Sequence, residues 1–161
     1  MTIYVAVSGP ADATADERSL AEEVGRRLAE GGAVVVCGGL GGVMDAAARG
    51  AREAGGVAIG VLPGESRTGA SPNLAAAIPT GMGEGRNAIL VRAVDAVIAI
   101  SGEFGTLSEI ALALKMGKPV VGLGTWELRK SGRVVEAIMT AASPQEAVEM
   151  AFEAAGGRGP A

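Results

Sequence analysis

The stretch VIAISGEFGTLSE, Val97 to Glu109, holds the change from strand to helix that decides the fold. Its opening residues are apolar, Gly102 and Gly105 interrupt the run, and Thr106 and Glu109 follow in the spacing of a capping box. Glycine lets the backbone approach a ligand closely, and the N-terminus of a following helix offers unpaired N–H groups to an anion. The stretch therefore predicts a buried strand, a ligand loop and a helix. Glu109 stays open between a capping and a chemical role.

The same alternation of apolar run, glycine and helical spacing recurs along the chain. We predict buried parallel strands at Ile3–Val7, Ala33–Cys37, Val57–Leu62, Ala76–Pro79, Val94–Ile100 and Val120–Leu123, with a short one near Ala137–Thr140. We predict helices over Ala15–Glu30, Val43–Ala54, Arg86–Ala93 and Leu107–Met116, and from Ser143 to about Ala155. This order predicts an α/β fold of the Rossmann-like, three-layer αβα type, with a doubly wound, mainly parallel sheet of about six or seven strands. We expect one domain over residues 1–156 and a frayed tail at 157–161.

Composition excludes several classes of protein. The 161 residues carry a net charge of −4 without any Lys/Arg run, which disfavours nucleic-acid binding. No apolar run approaches the roughly 18 residues of a membrane span, and no basic segment precedes the first strand. We therefore expect a cytoplasmic protein that contacts neither nucleic acid nor membrane.

The chain contains no histidine and a single cysteine, Cys37. These are too few ligands for a structural zinc site, and mechanisms that depend on histidine are excluded. General acid–base chemistry would fall to carboxylates with arginine as the electrostatic partner. We expect no metal and no required cofactor. A dinucleotide fingerprint in proper register and a Gly-Lys-Ser/Thr sequence are both absent, which disfavours NAD binding and Walker-A chemistry.

Three glycine-rich loops follow the first, second and fifth predicted strands. In a parallel sheet with right-handed crossovers these loops share one edge, where phosphate is the expected ligand. Glycines that only form tight turns are the plain alternative. The candidate ligand residues are Gly9 in the first loop, Gly38, Gly39, Gly41 and Gly42 in the second, and Ser101, Gly102, Gly105 and Thr106 in the third.

Three longer segments resemble a known superfamily. Gly85–Leu123 is similar to the signature half of the Rossmann-like superfamily that contains the LONELY GUY (LOG) phosphoribohydrolases, long mislabelled lysine decarboxylases, and the molybdenum-cofactor carrier proteins. Cys37–Gly56 resembles their earlier GGG-x-G-x-M motif. Val61–Asn87 is closer to the carrier-like branch, which has Arg-Asn where LOG enzymes have Arg-Lys. The resemblance extends to about Leu123.

The resemblance implies roles for particular residues. In LOG enzymes an Arg and the Glu of the signature PGGxGTxxE hydrolyse the N-glycosidic bond of nucleoside 5′-monophosphates. Carried over, Arg86 and Glu109 form the catalytic pair, Asn87 lies beside them, and the matching glycines and threonine of the signature hold the phosphate. A carboxylate in such a pair activates water and stabilises an oxocarbenium-like ribose.

The chain departs from the LOG signature at three positions. Ser101 replaces the proline, Glu103 replaces the second glycine, and Asn87 replaces the lysine. Glu103 adds negative charge to the loop that would receive a phosphate dianion, and it repels that ion unless it points to solvent or pairs with an arginine. These departures weaken the hypothesis that the protein is a LOG-like hydrolase.

Three functions remain open at this stage. The first is binding of a phosphorylated nucleotide-like or molybdopterin-type ligand without turnover, in the manner of a molybdenum-cofactor carrier. The second is hydrolysis of nucleoside 5′-monophosphates, and the third is sensing of a nucleotide-derived signal. We also expect a homodimer or higher homo-oligomer, because Ile110–Met116 is apolar around more than one face.

Overall fold

A seven-stranded parallel sheet forms the centre of the computed structural model, which describes residues 1–156. The strand order is β4-β3-β2-β1-β5-β6-β9. The strands are β1 (Tyr4–Ser8), β2 (Val34–Cys37), β3 (Val57–Leu62), β4 (Ala76–Pro79), β5 (Ala96–Ile100), β6 (Val120–Leu123) and β9 (Ile138–Thr140). A separate hairpin joins β7 (Arg129–Lys130) to β8 (Arg133–Val134). The tail predicted at 157–161 lies outside the described residues.

Helices cover both faces of the sheet, and one core cluster lies under each layer. The helices are α1 (Ala15–Glu30), α2 (Val43–Glu53), α3 (Arg86–Arg92), α4 (Phe104–Lys115) and α5 (Pro144–Ala154), and a 3₁₀ turn, Gly83–Gly85, precedes α3. Helices α1, α2 and α5 share one core cluster, whereas α3 and α4 supply the other. None of the helices within residues 1–156 combines the length and apolar character that a membrane crossing requires.

Alternation along the central strands explains these two cores. In β1, Val5 and Val7 belong to the cluster under α1, α2 and α5, and Ala6 belongs to the opposite one. Successive side chains of a strand point to opposite faces, so a strand covered on both faces must be apolar throughout. All five residues of β5 are accordingly buried.

The predicted Rossmann-like three-layer fold is confirmed. Three of the predicted strands and helix α1 have the predicted bounds. Helix α4 differs, because it begins at Phe104 and not at Leu107. The β7–β8 hairpin was not predicted, since two-residue strands with exposed side chains leave no apolar pattern to detect.

The strand order sets where the loops meet. Strand β1 lies between β2 and β5, and all three run parallel. The loops that follow Ser8, Cys37 and Ile100 therefore lie at the same carboxyl edge, as predicted. The chain turns in opposite directions from β1 and β5, and α/β folds bind ligands in the crevice at such a switch point.

Candidate functional site

A cavity of about 490 Å³ opens at this carboxyl edge, and we call it the edge cavity. Its volume lies in the range of small-molecule sites. The loops after β1, β2 and β5 contribute to its wall, together with the start of α3. The lining residues are Gly9, Pro10, Ala11, Asp12, Leu40, Met44, Glu84, Arg86, Asn87, Glu103, Gly105, Thr106 and Glu109.

Besides α3, which continues directly from a 3₁₀ turn, two helices begin at the edge cavity, and neither has a side-chain cap. Helix α2 starts after Gly42 and helix α4 after Glu103, and neither of these residues caps its helix through a side-chain hydrogen bond. By contrast, α1 is capped by Thr14 and α5 by Ser143, and both begin elsewhere. An uncapped helix start leaves N–H groups and the positive end of the helix dipole available to an anion. In α2 the first of these N–H groups, that of Val43, already donates to the carbonyl oxygen of Pro10.

Arg86 and Glu109 meet in the wall of the edge cavity, although 23 positions separate them in sequence. Nη1 of Arg86 lies 3.4 Å from Oε1 of Glu109, and the two side chains are 12% and 8% exposed. The second carboxylate oxygen, Oε2, accepts a hydrogen bond from the hydroxyl of Ser8. Both oxygens of this buried carboxylate are therefore engaged by the protein.

Asn87 extends the contact to the start of α4. Its amide oxygen accepts from Nη1 of Arg86, and its amide nitrogen donates to Oγ of Ser108 at 2.8 Å. Ser108 in turn donates to the carbonyl oxygen of Gly105 at 3.0 Å. At 2% exposure, Asn87 connects the guanidinium to the start of α4.

The structure decides the capping question for Glu109. Because α4 begins at Phe104, Thr106 is already inside the helix and cannot be its N-cap. The carboxylate of Glu109 faces Ser8 and Arg86, and the capping-box hypothesis for this pair is wrong. The equivalent prediction for Thr14 and Glu17 is confirmed, with both reciprocal hydrogen bonds present.

Burial raises the pKa of the Glu109 carboxyl, while the Ser8 hydroxyl and the Arg86 guanidinium act in the opposite direction. The negative charge of Glu84 adds to the rise. Burial also raises the pKa of the Cys37 thiol to about 11, so this cysteine is a protonated core residue and not a nucleophile.

Only part of the predicted site lines the edge cavity. Gly9, Arg86, Asn87, Gly105, Thr106 and Glu109 line it. Gly38, Gly39, Gly41, Gly42, Ser101 and Gly102 do not. All of these six except the exposed Gly41 make contacts that shape the loops.

The glycines of the second loop allow close backbone approaches. A Cβ on Gly42 would lie 2.3 Å from the carbonyl oxygens of Pro10 and Ala11, and a Cβ on Gly38 would lie 2.7 Å from Nη2 of Arg86. Gly39 has a positive φ of 79° and its carbonyl accepts from the Ser71 N–H. Glycine is therefore required here for the packing of the loops, whether or not a ligand is present.

Ser101 does not line the edge cavity. It adopts a φ of 52°, and its carbonyl accepts from Oγ1 of Thr125. The Ser101 side chain lowers the pKa of the Glu17 carboxyl on α1. Gly102 beside it has a φ of 122° and packs on Thr106. The arrangement gives Ser101 a structural contact with α1.

Two carboxylates of the lining, Asp12 and Glu84, were not singled out from the sequence, whereas Glu103 was. Asp12, Glu84 and Glu103 are exposed carboxylates in the lining, and we call them the acidic rim. Among the described residues, no group of three or more potential ligands lies close enough to hold a metal ion. The buried Ser8 was also missed. A polar residue that ends an otherwise apolar strand was the available signal.

A second cavity, of about 430 Å³, lies at the opposite edge of the sheet beside Thr2, Gly32 and Phe152. Its lining contains one ionisable side chain, Asp95, and that carboxylate accepts from the Tyr4 N–H. No helix of residues 1–156 begins at this cavity. We therefore place the candidate site at the carboxyl edge.

The fold is that of a Rossmann-like α/β protein, and the candidate site is a cavity at the carboxyl edge of its sheet. A family model described as the SLOG cluster4 family matches residues 2–148, and the chain belongs to that family. An uncharacterised protein of Archaeoglobus fulgidus is 38% identical over 146 residues, which cover 91% of this chain and 92% of that protein.

The chain is also similar to solved structures of molybdenum cofactor binding and carrier proteins. The molybdenum cofactor binding protein of Rippkaea orientalis is 35% identical with a TM-score of 0.86, over 95% of this chain and 97% of that one. The molybdenum cofactor carrier protein of Chlamydomonas reinhardtii is 33% identical with a TM-score of 0.83, over 96% and 98%. DNA processing protein A of Helicobacter pylori, 20% identical with a TM-score of 0.72 over 94% and 81%, shares the fold alone. The predicted resemblance to the carrier-like side of the superfamily is confirmed.

Proposed function

We propose that the protein binds a phosphorylated small molecule, nucleotide-like or pterin-like, in the edge cavity and holds it without turnover, as a carrier does. The observation that carries this proposal is the meeting of two uncapped helix N-termini, those of α2 and α4, at one cavity that also contains Arg86. Backbone N–H groups and a guanidinium are the usual ligands of phosphate. The similarity to molybdenum cofactor carrier proteins supports the same class of ligand.

The residues fit the phosphate end of a molybdopterin-type ligand better than its metal. Thr106 and Gly105 present the start of α4 to the edge cavity. The chain has no histidine, and its cysteine is a buried, protonated thiol outside the lining. The ligand's own donor atoms would have to hold a metal carried there, and this chain would supply phosphate contacts and exclude water.

The contacts of Glu109 support binding without turnover. Ser8 and Arg86 each contact one of its oxygens, so the carboxylate already has a role within the protein. Hydrolysis of a nucleoside monophosphate remains the second candidate, because Arg86 and Glu109 do lie together in the cavity wall. Release of free adenine from AMP, followed by chromatography, would identify the hydrolase. Recovery of a phosphorylated pterin with protein purified from its own host would identify the carrier.

The phosphate site can be tested with Thr106→Val. If AMP binds at the start of α4, it should raise the melting temperature of the wild-type protein by linkage, and the variant should lose most of that shift. Thr140→Val is a matched control, because Thr140 is exposed on the distant edge strand β9. An equal shift in Thr106→Val and wild type would argue against this position for the phosphate and favour the Gly38–Gly42 loop.

A further inference from the structure

Ser8 ends β1 directly behind the edge cavity and does not line it. It is 2% exposed, and its hydroxyl donates to Oε2 of Glu109, 101 positions away in sequence. A buried hydroxyl needs a partner, and this one bonds to the buried carboxylate of the candidate site. Because Ser8 is fixed by the β1–β5 ladder, its hydroxyl is a rigid point against which the carboxylate is oriented.

The position of Glu109 in turn affects that of Arg86. With Oε2 held by Ser8, Oε1 faces the guanidinium at 3.4 Å, which is a long contact. The guanidinium packs against Gly38, and its buried Nε has no hydrogen-bond partner within residues 1–156. Its side-chain partners are Glu109 and the amide oxygen of Asn87, so its orientation depends on where both of these groups are held.

We propose that Ser8 is a positioning residue of the ligand site: by holding one oxygen of Glu109 it fixes the carboxylate, and through it the Arg86 guanidinium, in the orientation that a phosphorylated ligand meets. The ligand part of this assignment rests on the proposed function. The contact between Ser8 and Glu109 can be tested without any ligand.

The surroundings of Glu109 give the direction of the expected electrostatic effect. Arg86 on α3 and Ser8 on β1 favour the ionised carboxylate, whereas burial and the charge of Glu84 in the 3₁₀ turn disfavour it. The Cys37 thiol on β2 is neutral. Removing the Ser8 hydroxyl leaves burial less opposed, so the pKa of Glu109 should rise further.

The first experiment is a ¹³C NMR titration of glutamate side-chain carboxyls in the wild type, Ser8→Ala and Ser8→Thr, with Glu109→Gln used to assign the signal. We expect Glu109 to titrate at a higher pH in Ser8→Ala and near the wild-type pH in Ser8→Thr, which keeps the hydroxyl. Identical titrations in the wild type and Ser8→Ala, or a Ser8→Thr curve that matches Ser8→Ala, would overturn the proposal.

The second experiment measures AMP affinity by calorimetry at pH 8, where the phosphate is a dianion. Ser8→Ala should weaken binding by about tenfold, the loss expected if the displaced Arg86 guanidinium gives up one charge-assisted hydrogen bond to the phosphate, and Ser8→Thr should restore it. Ser143→Ala is the control, because the Ser143 hydroxyl also makes a hydrogen bond, accepting from the Glu146 N–H at the start of α5, and lies outside the edge cavity. It should change neither readout.

The two experiments separate the two proposals. If AMP binds the wild type and Ser8→Ala equally well, the Ser8 assignment fails and the proposed function stands. If AMP and other phosphorylated ligands do not bind the wild type, the proposed function fails, and the titration alone decides whether Ser8 positions Glu109.

Discussion

Glu109 makes the stability of the protein depend on pH. Its pKa is raised in the folded state, so its contribution to stability is fully present below the unfolded value, 4.5, and is lost as the pH rises through the folded value. In Glu109→Gln this loss is absent. The free energy of unfolding of the variant should therefore increase relative to that of the wild type as the pH rises above 4.5.

Urea denaturation of both proteins between about pH 4 and pH 8 measures this difference. Glu136→Gln, at an exposed position, is the control and should show no such trend. A difference between Glu109→Gln and wild type that stays constant over the whole range would contradict the buried, raised pKa.

Glu103 opposes the binding of an anion. It is an exposed member of the acidic rim at the start of α4, and its side chain makes no capping hydrogen bond. Glu103→Gln should strengthen AMP binding by about two- to fivefold at low salt, because two unit charges near 4 Å apart in water repel by about 1 kcal/mol. Calorimetry at low and high ionic strength should show the gain shrinking with salt. Weaker binding in Glu103→Gln would show that this carboxylate contacts the ligand.

The loop between β2 and α2 is held by backbone packing. Gly42 has a φ of 65°, and a Cβ there would lie 2.3 Å from the carbonyl oxygens of Pro10 and Ala11. Gly42→Ala should therefore cost more than the roughly 1–2 kcal/mol of the left-handed conformation alone, because the two loops must also separate.

Gly32→Ala is the matched control. Gly32 has a φ of 80° with nothing within 4 Å of its added Cβ, so only the conformational cost applies. Thermal denaturation compares the two variants. If Gly42→Ala loses no more stability than Gly32→Ala, the first and second loops separate without cost and the prediction is wrong.

The helices on the two faces of the sheet differ in number and length, and this difference suggests where a second copy would pack. The face with α3 and α4 carries helices of 7 and 12 residues, whereas the other has helices of 16, 11 and 11. On the thinner face Ile89 is 41% exposed, and Phe104 at the start of α4 is 77% exposed. The homo-oligomer remains a prediction, and these side chains are where we expect a second copy to pack.

Light scattering at micromolar concentration tests this prediction. The wild type should have at least the mass of a dimer, and Ile89→Lys should shift the protein towards the monomer. Val57→Lys, at a position of similar exposure, 42%, on β3, is the control. A monomeric wild type would contradict the prediction.

The sequence by itself determined the three-layer architecture and the succession of strands and helices along the chain. Buried parallel strands need unbroken apolar runs, and amphipathic helices need a 3.6-residue period, so β3, β4, β6 and α1 could be located from local patterns. The shared edge of the glycine loops also followed, because parallel strands with right-handed crossovers leave no other arrangement.

Only the tertiary structure decided what individual side chains do. The spacing of Thr106 and Glu109 predicts a capping box, but the start of α4 at Phe104 and the contacts with Ser8 and Arg86 turn the carboxylate inward. Ser101 was predicted as a ligand residue, and the fold leaves it outside the lining of the edge cavity. A local pattern fixes the backbone within a few residues, whereas a side chain's partner depends on residues about a hundred positions away that only the fold brings into contact.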